Sequence, residues 1–157
     1  MAVEAGQPAP EFDLPTAGGG RARLVDFKGR PLVVYFYPRD DTPGCTMEAQ
    51  GFAEAYPEFG AAGVAVVGVS KDSAASHDKF KAKYALPFIL ASDKQGGVVK
   101  AYGAWVEKSM YGKKYMGIDR STFLIDGDGM VRQVWRGVKV PGHVAEVLAA
   151  ARALRSP

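Results

Sequence analysis

The run Pro31-Leu32-Val33-Val34-Tyr35-Phe36-Tyr37 is unbroken in β-branched and aromatic side chains. Such a run reads as a strand that is apolar on both faces, and it is stable only within a sheet covered on both sides. It stops at Pro38, and the period then changes. Cys45, Ala49, Phe52, Ala53, Tyr56 and Phe59 recur at helical spacing, while Glu48, Gln50, Glu54 and Glu58 fall off that stripe. Pro57 inside the pattern predicts a kink or an early end. Val64–Val69 reads as a second buried strand. Asp72 or Ser73 can cap a helix reaching about Tyr84.

Further along, Pro87–Ala91 suggests a short strand and Gly97–Tyr102 a short helix. Ile118–Ile125 and Val131–Trp135 are strand-like, and Asp126-Gly127-Asp128-Gly129 between them is a hairpin signal. Val144, Val147, Leu148, Ala151 and Leu154 then mark a closing helix. Before all of these, Gly6–Arg23 is rich in proline and glycine and predicts irregular chain, with short edge strands at Glu11–Leu14 and Ala22–Val25. The order is βαβ first and a hairpin plus helix last. That order predicts an α/β protein with a mixed central β-sheet flanked by helices, and a thioredoxin-like fold has this arrangement. No repeat or linker divides the 157 residues, so residues 1–157 are expected to form a single domain.

Composition narrows the function classes. Twenty basic and 17 acidic side chains leave a charge of +3, spread without a basic cluster, so nucleic-acid binding is not expected. The longest uncharged apolar stretch, Phe59–Val69, is 11 residues, short of the ~20 that a membrane span requires. The first residues have neither a basic start nor an apolar core, so no secretory leader is expected. There is one cysteine, Cys45. That excludes an internal disulfide, a CxxC pair and a cysteine-rich zinc site, and the chain reads as cytoplasmic.

Cys45 sits just after a buried strand and a turn, in the first turn of the next helix. A helix N-terminus offers unpaired N–H groups and the positive end of the macrodipole, which favour a thiolate. Ionising most of an ordinary thiol at neutral pH takes about 3.4 kcal/mol of anion stabilisation. A helix end supplies typically under ~1 kcal/mol and about 2 at most, so a hydroxyl donor and a cation are needed as well. Thr42 is placed to accept from the helix N-terminus and to donate to the sulfur or its substrate. Arg39 and the distant Arg120 are candidate cations. Asp40 and Asp41 oppose a thiolate and are expected to point to solvent. Taken without its context, a lone cysteine on an apolar helix face is usually a small buried hydrophobe.

The motif Pro38-x-x-x-Thr42-x-x-Cys45 resembles the active-site signature of the peroxiredoxins. The longer string Tyr35-Phe36-Tyr37-Pro38-x-x-x-Thr42-Pro43-Gly44-Cys45-Thr46 is similar to the bacterioferritin-comigratory-protein or PrxQ subfamily. Gly6–Leu14, Val69–Asp72 with Ser76, His77 and Phe80, Leu86–Phe88 and Arg120–Asp126 resemble successive parts of that family. The resemblance implies a thioredoxin-like fold with a peroxiredoxin-type N-terminal extension. It implies that Cys45 is the peroxidatic cysteine, that Thr42 orients the peroxide, and that Arg120 stabilises the thiolate and the developing charge. Pro38 would shield the sulfur, and the backbone N–H groups of Gly44 and Cys45 would hold the substrate. No metal or organic cofactor is implied.

The chain departs from the commoner pattern in one place. Many relatives carry a resolving cysteine five residues after the peroxidatic one, and here that residue is Gln50; others carry it in the next helix, where this chain has Phe80 and Lys81. The resemblance therefore implies a one-cysteine peroxidase of hydrogen peroxide and organic hydroperoxides. An external thiol, such as thioredoxin, glutaredoxin with glutathione, or another small thiol, would recycle it. A monomer and a homodimer are both compatible. The alternatives are a redox sensor or binding protein on the same scaffold and a monothiol transferase. His77 and His143, the only histidines, are expected at surface positions, which disfavours a Cys–His hydrolase. Trp105 and Ser109–Met116 would form a loop near the active site or pack in a core or interface. Trp135 reads as strand packing.

Overall fold

The structure is a computed structural model that describes residues 2–154. Its centre is a five-stranded sheet in the order β5-β4-β3-β8-β9. These strands are β3 (Leu32–Phe36), β4 (Ala65–Ser70), β5 (Ile89–Ser92), β8 (Ser121–Ile125) and β9 (Val131–Trp135). β3, β4 and β5 are parallel, and β8 and β9 add antiparallel strands on the other side of β3. The parallel pairs require crossovers, which α1 (Pro43–Ala61) and α2 (Ala74–Tyr84) supply. α3 (Gly97–Ala101) follows β5, and α4 (His143–Ala153) closes the described chain. The mixed sheet and its flanking helices are those expected from the order of elements.

β3 has a neighbour on each side and is buried at every position, as its unbroken apolar run requires. Alternation splits it between two cores. Val33, Tyr35 and Tyr37 pack with Cys45, Ala49, Phe52 and Phe59 of α1, Phe80 of α2 and Val147 and Leu148 of α4. Leu32, Val34 and Phe36 pack on the opposite face with Leu14, Phe27, Val99 and Tyr102. Each fully buried aromatic or aliphatic side chain contributes about 1.5–3 kcal/mol. In the parallel register Tyr35 stands beside Gly68. A Cβ at Gly68 would lie 2.8 Å from the Tyr35 ring carbon Cζ, so only glycine leaves room for that ring.

Several local expectations shift. The edge strands are β1 (Asp13–Pro15) and β2 (Arg21–Arg23), because Leu24–Phe27 winds into a 3-10 turn that buries Leu24 and Phe27. Pro57 does not end α1, which continues to Ala61. Phe59, beyond the proline, is fully buried and its ring stands 5.9 Å from that of Phe52, which holds the last turn on the sheet. Ser73 is the α2 cap and accepts from the Ser76 N–H at 3.1 Å. Ile118 belongs to a different strand from Ser121–Ile125. β6 (Trp105–Met110) and β7 (Lys113–Ile118) form a separate antiparallel hairpin where a loop was expected. On it Met110, Tyr111, Tyr115 and Met116 are exposed rather than packed in a core. Trp105 packs against the core at the base of this hairpin, with Lys71 Nζ 4.3 Å from its ring centre.

Candidate active site

Cys45 is the third residue of α1, and Thr42 occupies the position just before its first turn. The first backward helical bond runs from Thr46 N–H to Thr42 O at 2.8 Å. The N–H groups of Gly44 and Cys45 therefore lie before the helical ladder begins, where α-helix geometry offers them no carbonyl four residues back. The sulfur itself is buried, at 1% residue exposure. The positive helix end is the environment expected from the sequence, while the burial is what the reading of the cysteine as a small apolar residue implied.

The cation arrives from across the sheet. Phe36, at the end of β3, pairs with Ser121, at the start of β8. That register places Arg120 beside the point where the chain leaves β3 for α1. Arg120 Nη2 donates to Cys45 Sγ at 3.4 Å, although the residues are 75 apart in sequence. Arg120 O accepts from Val138 N–H at 3.0 Å, which holds the backbone of the arginine. A Cβ on Gly44 would stand 3.1 Å from Nη2, so the glycine lets the guanidinium lie against the first turn. Of the two cations considered, Arg120 reaches the sulfur, while Arg39 is exposed.

The same guanidinium holds a residue that the sequence reading placed off the buried stripe. Glu48 has no exposed surface, and its Oε1 accepts from Arg120 Nη1 at 2.7 Å. Its other oxygen, Oε2, makes no hydrogen bond among the described residues, and neither does the buried Tyr35 hydroxyl. Burial pushes the Glu48 carboxyl up to about 7, against the pull of Arg120. Burial also works against the Arg120 charge, but Glu48 and Cys45 outweigh it and hold the guanidinium firmly ionised. The signal for Glu48 was its position three residues after Cys45, which puts the two side chains on one helix face. Its charge masked that spacing.

The raised Glu48 value has a consequence for stability. The folded protein holds this proton more tightly than the unfolded chain, whose value is near 4.5. That stabilising contribution is complete below pH 4.5 and is lost as the pH rises to about 7. Its size is on the order of 3 kcal/mol. Urea melts of wild type and Glu48→Gln between these limits should show the decline only in wild type. Equal slopes in both proteins would remove Glu48 as its source.

Thr42 departs from its expected role. Its hydroxyl makes no capping bond to the helix and instead donates to Arg39 O at 2.8 Å. With its hydrogen engaged there, the oxygen keeps lone pairs for accepting. Asp41 is exposed, as expected, and bonds Lys83 Nζ at 2.8 Å and the Tyr84 hydroxyl at 2.7 Å. Asp40 does not point to solvent; it is buried and bonded to Tyr37, Ser76 and His77. Both histidines are buried rather than at the surface. His143 is 2.8 Å from Thr122 Oγ1, and burial pushes its imidazole down, with Glu146 opposing and Arg120 adding to the effect. Pro38 is exposed at the start of the loop that leads to Thr42. A concavity lined by Leu24, Phe27, Leu32, Ile125 and Gly129 lies at the other end of β3 and β8 and includes none of these residues.

A sulfur on a helix N-terminus is thus bonded to a half-buried arginine that immediately precedes β8. The model of the AhpC/TSA family matches residues 5–134, a span that contains Pro38, Thr42, Gly44, Cys45, Glu48 and Arg120. The chain belongs to the AhpC/TSA family. A Coxiella burnetii protein named putative peroxiredoxin bcp is 54% identical over 148 residues, covering 94% of this chain and 98% of that protein. Peroxiredoxin Bcp of Bacillus subtilis is 47% identical over 148 residues, with 94% of each chain covered. The structure of Xanthomonas campestris bacterioferritin comigratory protein is similar with a TM-score of 0.92 at 44% identity, over 98% of this chain and 100% of that one. That of a cysteine-to-serine mutant of Xylella fastidiosa PrxQ gives 0.93 at 38% identity, over 99% of each chain. Within the AhpC/TSA family this chain is thus a peroxiredoxin of the Bcp/PrxQ kind, a thiol-dependent peroxidase on a thioredoxin-like fold.

Proposed function

We propose that this peroxiredoxin reduces hydrogen peroxide and organic hydroperoxides through Cys45 alone and is recycled by an external thiol. The observation that carries this reading is the Arg120 guanidinium. It donates to Cys45 Sγ at 3.4 Å while Glu48 holds it at 2.7 Å, beside the only cysteine in the chain. The Xanthomonas campestris relative is described as reducing alkyl peroxides, which supports the organic substrates.

In the proposed cycle the Cys45 thiolate attacks one peroxide oxygen in line with the O–O bond. An S–O bond forms, the O–O bond breaks, and the sulfur is oxidised to a sulfenic acid as the peroxide is reduced. The leaving oxygen takes a proton and departs as water or an alcohol. Thr42 Oγ1, with its own hydrogen on Arg39 O, accepts the peroxide O–H and sets the approach angle. Arg120 and the Gly44 and Cys45 N–H groups donate to the charge that grows on the oxygens, and Pro38 covers the sulfur. One thiol then displaces water from the sulfenic acid to give a mixed disulfide. A second thiol releases Cys45 as thiol and departs as a disulfide.

The positions where relatives carry a second sulfur hold Gln50, exposed on α1, and Phe80, buried on α2. No second sulfur competes for the sulfenic acid, so excess peroxide should carry it on to sulfinic acid. Thioredoxin, glutathione with glutaredoxin, or another small thiol would supply the electrons, and the cytoplasm would supply those thiols. Among the described residues no helix is long and apolar enough to cross a membrane.

The test is peroxide consumption with dithiothreitol, thioredoxin or glutathione as reductant, followed by intact mass after excess peroxide. Catalytic turnover with at least one thiol and a product carrying two added oxygens are expected. Oxidation of Cys45 once, with no turnover under any thiol, would favour a sensor. The hydroxyl acceptor and the half-buried arginine argue for turnover, since a sensor needs neither to orient a peroxide.

A further inference from the structure

His77 has no part in the cycle above, yet it has no exposed surface and both of its ring nitrogens face acceptors. Nδ1 is 2.7 Å from Asp40 Oδ2, and Nε2 is 2.9 Å from the Ala91 carbonyl oxygen. A carbonyl cannot donate, so Nε2 carries a hydrogen. The Nδ1···Oδ2 contact then needs a second hydrogen, on the ring or on the carboxyl. Either placement leaves the pair with no net charge and one shared proton.

Asp40 is the centre of this network. Its Oδ2 also accepts from Ser76 Oγ at 2.8 Å, its Oδ1 accepts from the Tyr37 hydroxyl at 2.6 Å, and its backbone N–H donates to Asp72 Oδ2 at 2.8 Å. Asp72 Oδ2 accepts from Ser70 Oγ at 2.6 Å as well. Asp40, Asp72 and His77 bring three potential ligand atoms within 4.8 Å of one another, but each is engaged in these bonds, so the cluster reads as a joint and not as a cation site. The joint lies between Tyr37, the residue after β3, and Thr42, the residue before α1. Next to it Asp41 holds a left-handed φ of 58° and bonds Lys83 and Tyr84. The loop from Pro38 to Asp41 is thus tied to α2 at both ends of that helix.

We propose that the buried Asp40–His77 pair is a positioning device for the catalytic loop. By holding Asp40 against α2 it sets where Arg39 O, and therefore the Thr42 hydroxyl bonded to it, stands relative to Cys45. His77 and Asp40 touch neither sulfur nor peroxide in this scheme and act through Thr42. The inference rests on the assignment of Thr42 as peroxide acceptor.

Two rates separate positioning from folding. One is the oxidation of reduced Cys45 by hydrogen peroxide in a single turnover. The other is its alkylation by iodoacetamide, which needs the thiolate but no aligned peroxide. His77→Ala and Asp40→Ala should slow oxidation on the order of 10- to 100-fold, the scale of an ångström-sized misplacement, with alkylation within about threefold of wild type. Asp40→Asn should restore oxidation to within about fivefold, because an amide can donate to a neutral His77 Nδ1 and still accept from Tyr37. If the alanine variants do not fold, Ser76→Ala and His77→Asn carry the same comparison, with losses of about 3- to 10-fold in oxidation alone. Proportional loss of both rates, or no loss in either, would overturn the proposal. Thr42→Val serves as the reference. If it oxidises at the wild-type rate, the Thr42 assignment fails and the joint has nothing to position. If it is slow while the His77 and Asp40 variants are fast, only the joint is refuted.

Discussion

Replacing Cys45 by serine is expected to reduce thiol-dependent peroxide consumption by at least about 10³-fold while leaving the fold intact. A serine hydroxyl is not ionised near neutral pH, and neither histidine is free to take its proton: His77 is bonded to Asp40 and Ala91, and His143 to Thr122. The exchange is nearly isosteric in a site with 1% exposure, and the new hydroxyl can accept from Arg120 in place of the sulfur. Coupled peroxide assays on both proteins, with thermal melts beside them, check the prediction. Residual activity within tenfold of wild type would mean that another group attacks the peroxide.

Arg120→Leu is expected to lose on the order of 10²- to 10³-fold in peroxide reduction, the usual cost of removing a donor aimed at developing charge. It should also destabilise the protein by about 3–5 kcal/mol above neutral pH, because it leaves Glu48 buried with its Oε1 partner gone. The two effects can be separated. Adding Glu48→Gln to Arg120→Leu removes the uncompensated carboxylate and should recover most of the stability, but none of the rate. Urea melts and single-turnover oxidation of the single and double variants would settle it. Recovery of rate along with stability would make Arg120 a structural residue only.

Much of this was legible along the chain. The run Leu32–Phe36, the stripe from Cys45 to Phe59 and the Ser73 cap are local patterns, and local patterns follow from side-chain period and backbone sterics. They placed β3, α1 and α2 to within a few residues, and the Pro38, Thr42, Cys45 and Arg120 motif pointed to the family. The misses share a cause. Glu48, Asp40 and His77 are polar residues whose burial depends on a partner contributed by another element, and their polarity alone argues for solvent. The β6–β7 hairpin was hidden because Met110, Tyr111, Tyr115 and Met116 remain exposed, so its strands lack the alternation that betrays a half-buried sheet.

Sequence therefore determined that there is a single cysteine and that it sits at a helix end, since composition and local period are enough to show both. Tertiary structure alone decided that Arg120 meets Cys45, that Glu48 is its buried counter-group, and that Asp40 ties the loop from Pro38 to Asp41 to α2. Those contacts span 75, 72 and 37 residues. No local period encodes them; they arise when β8 pairs with β3 in one register and α2 packs against β5. A buried charge is tolerated only where that packing delivers its partner.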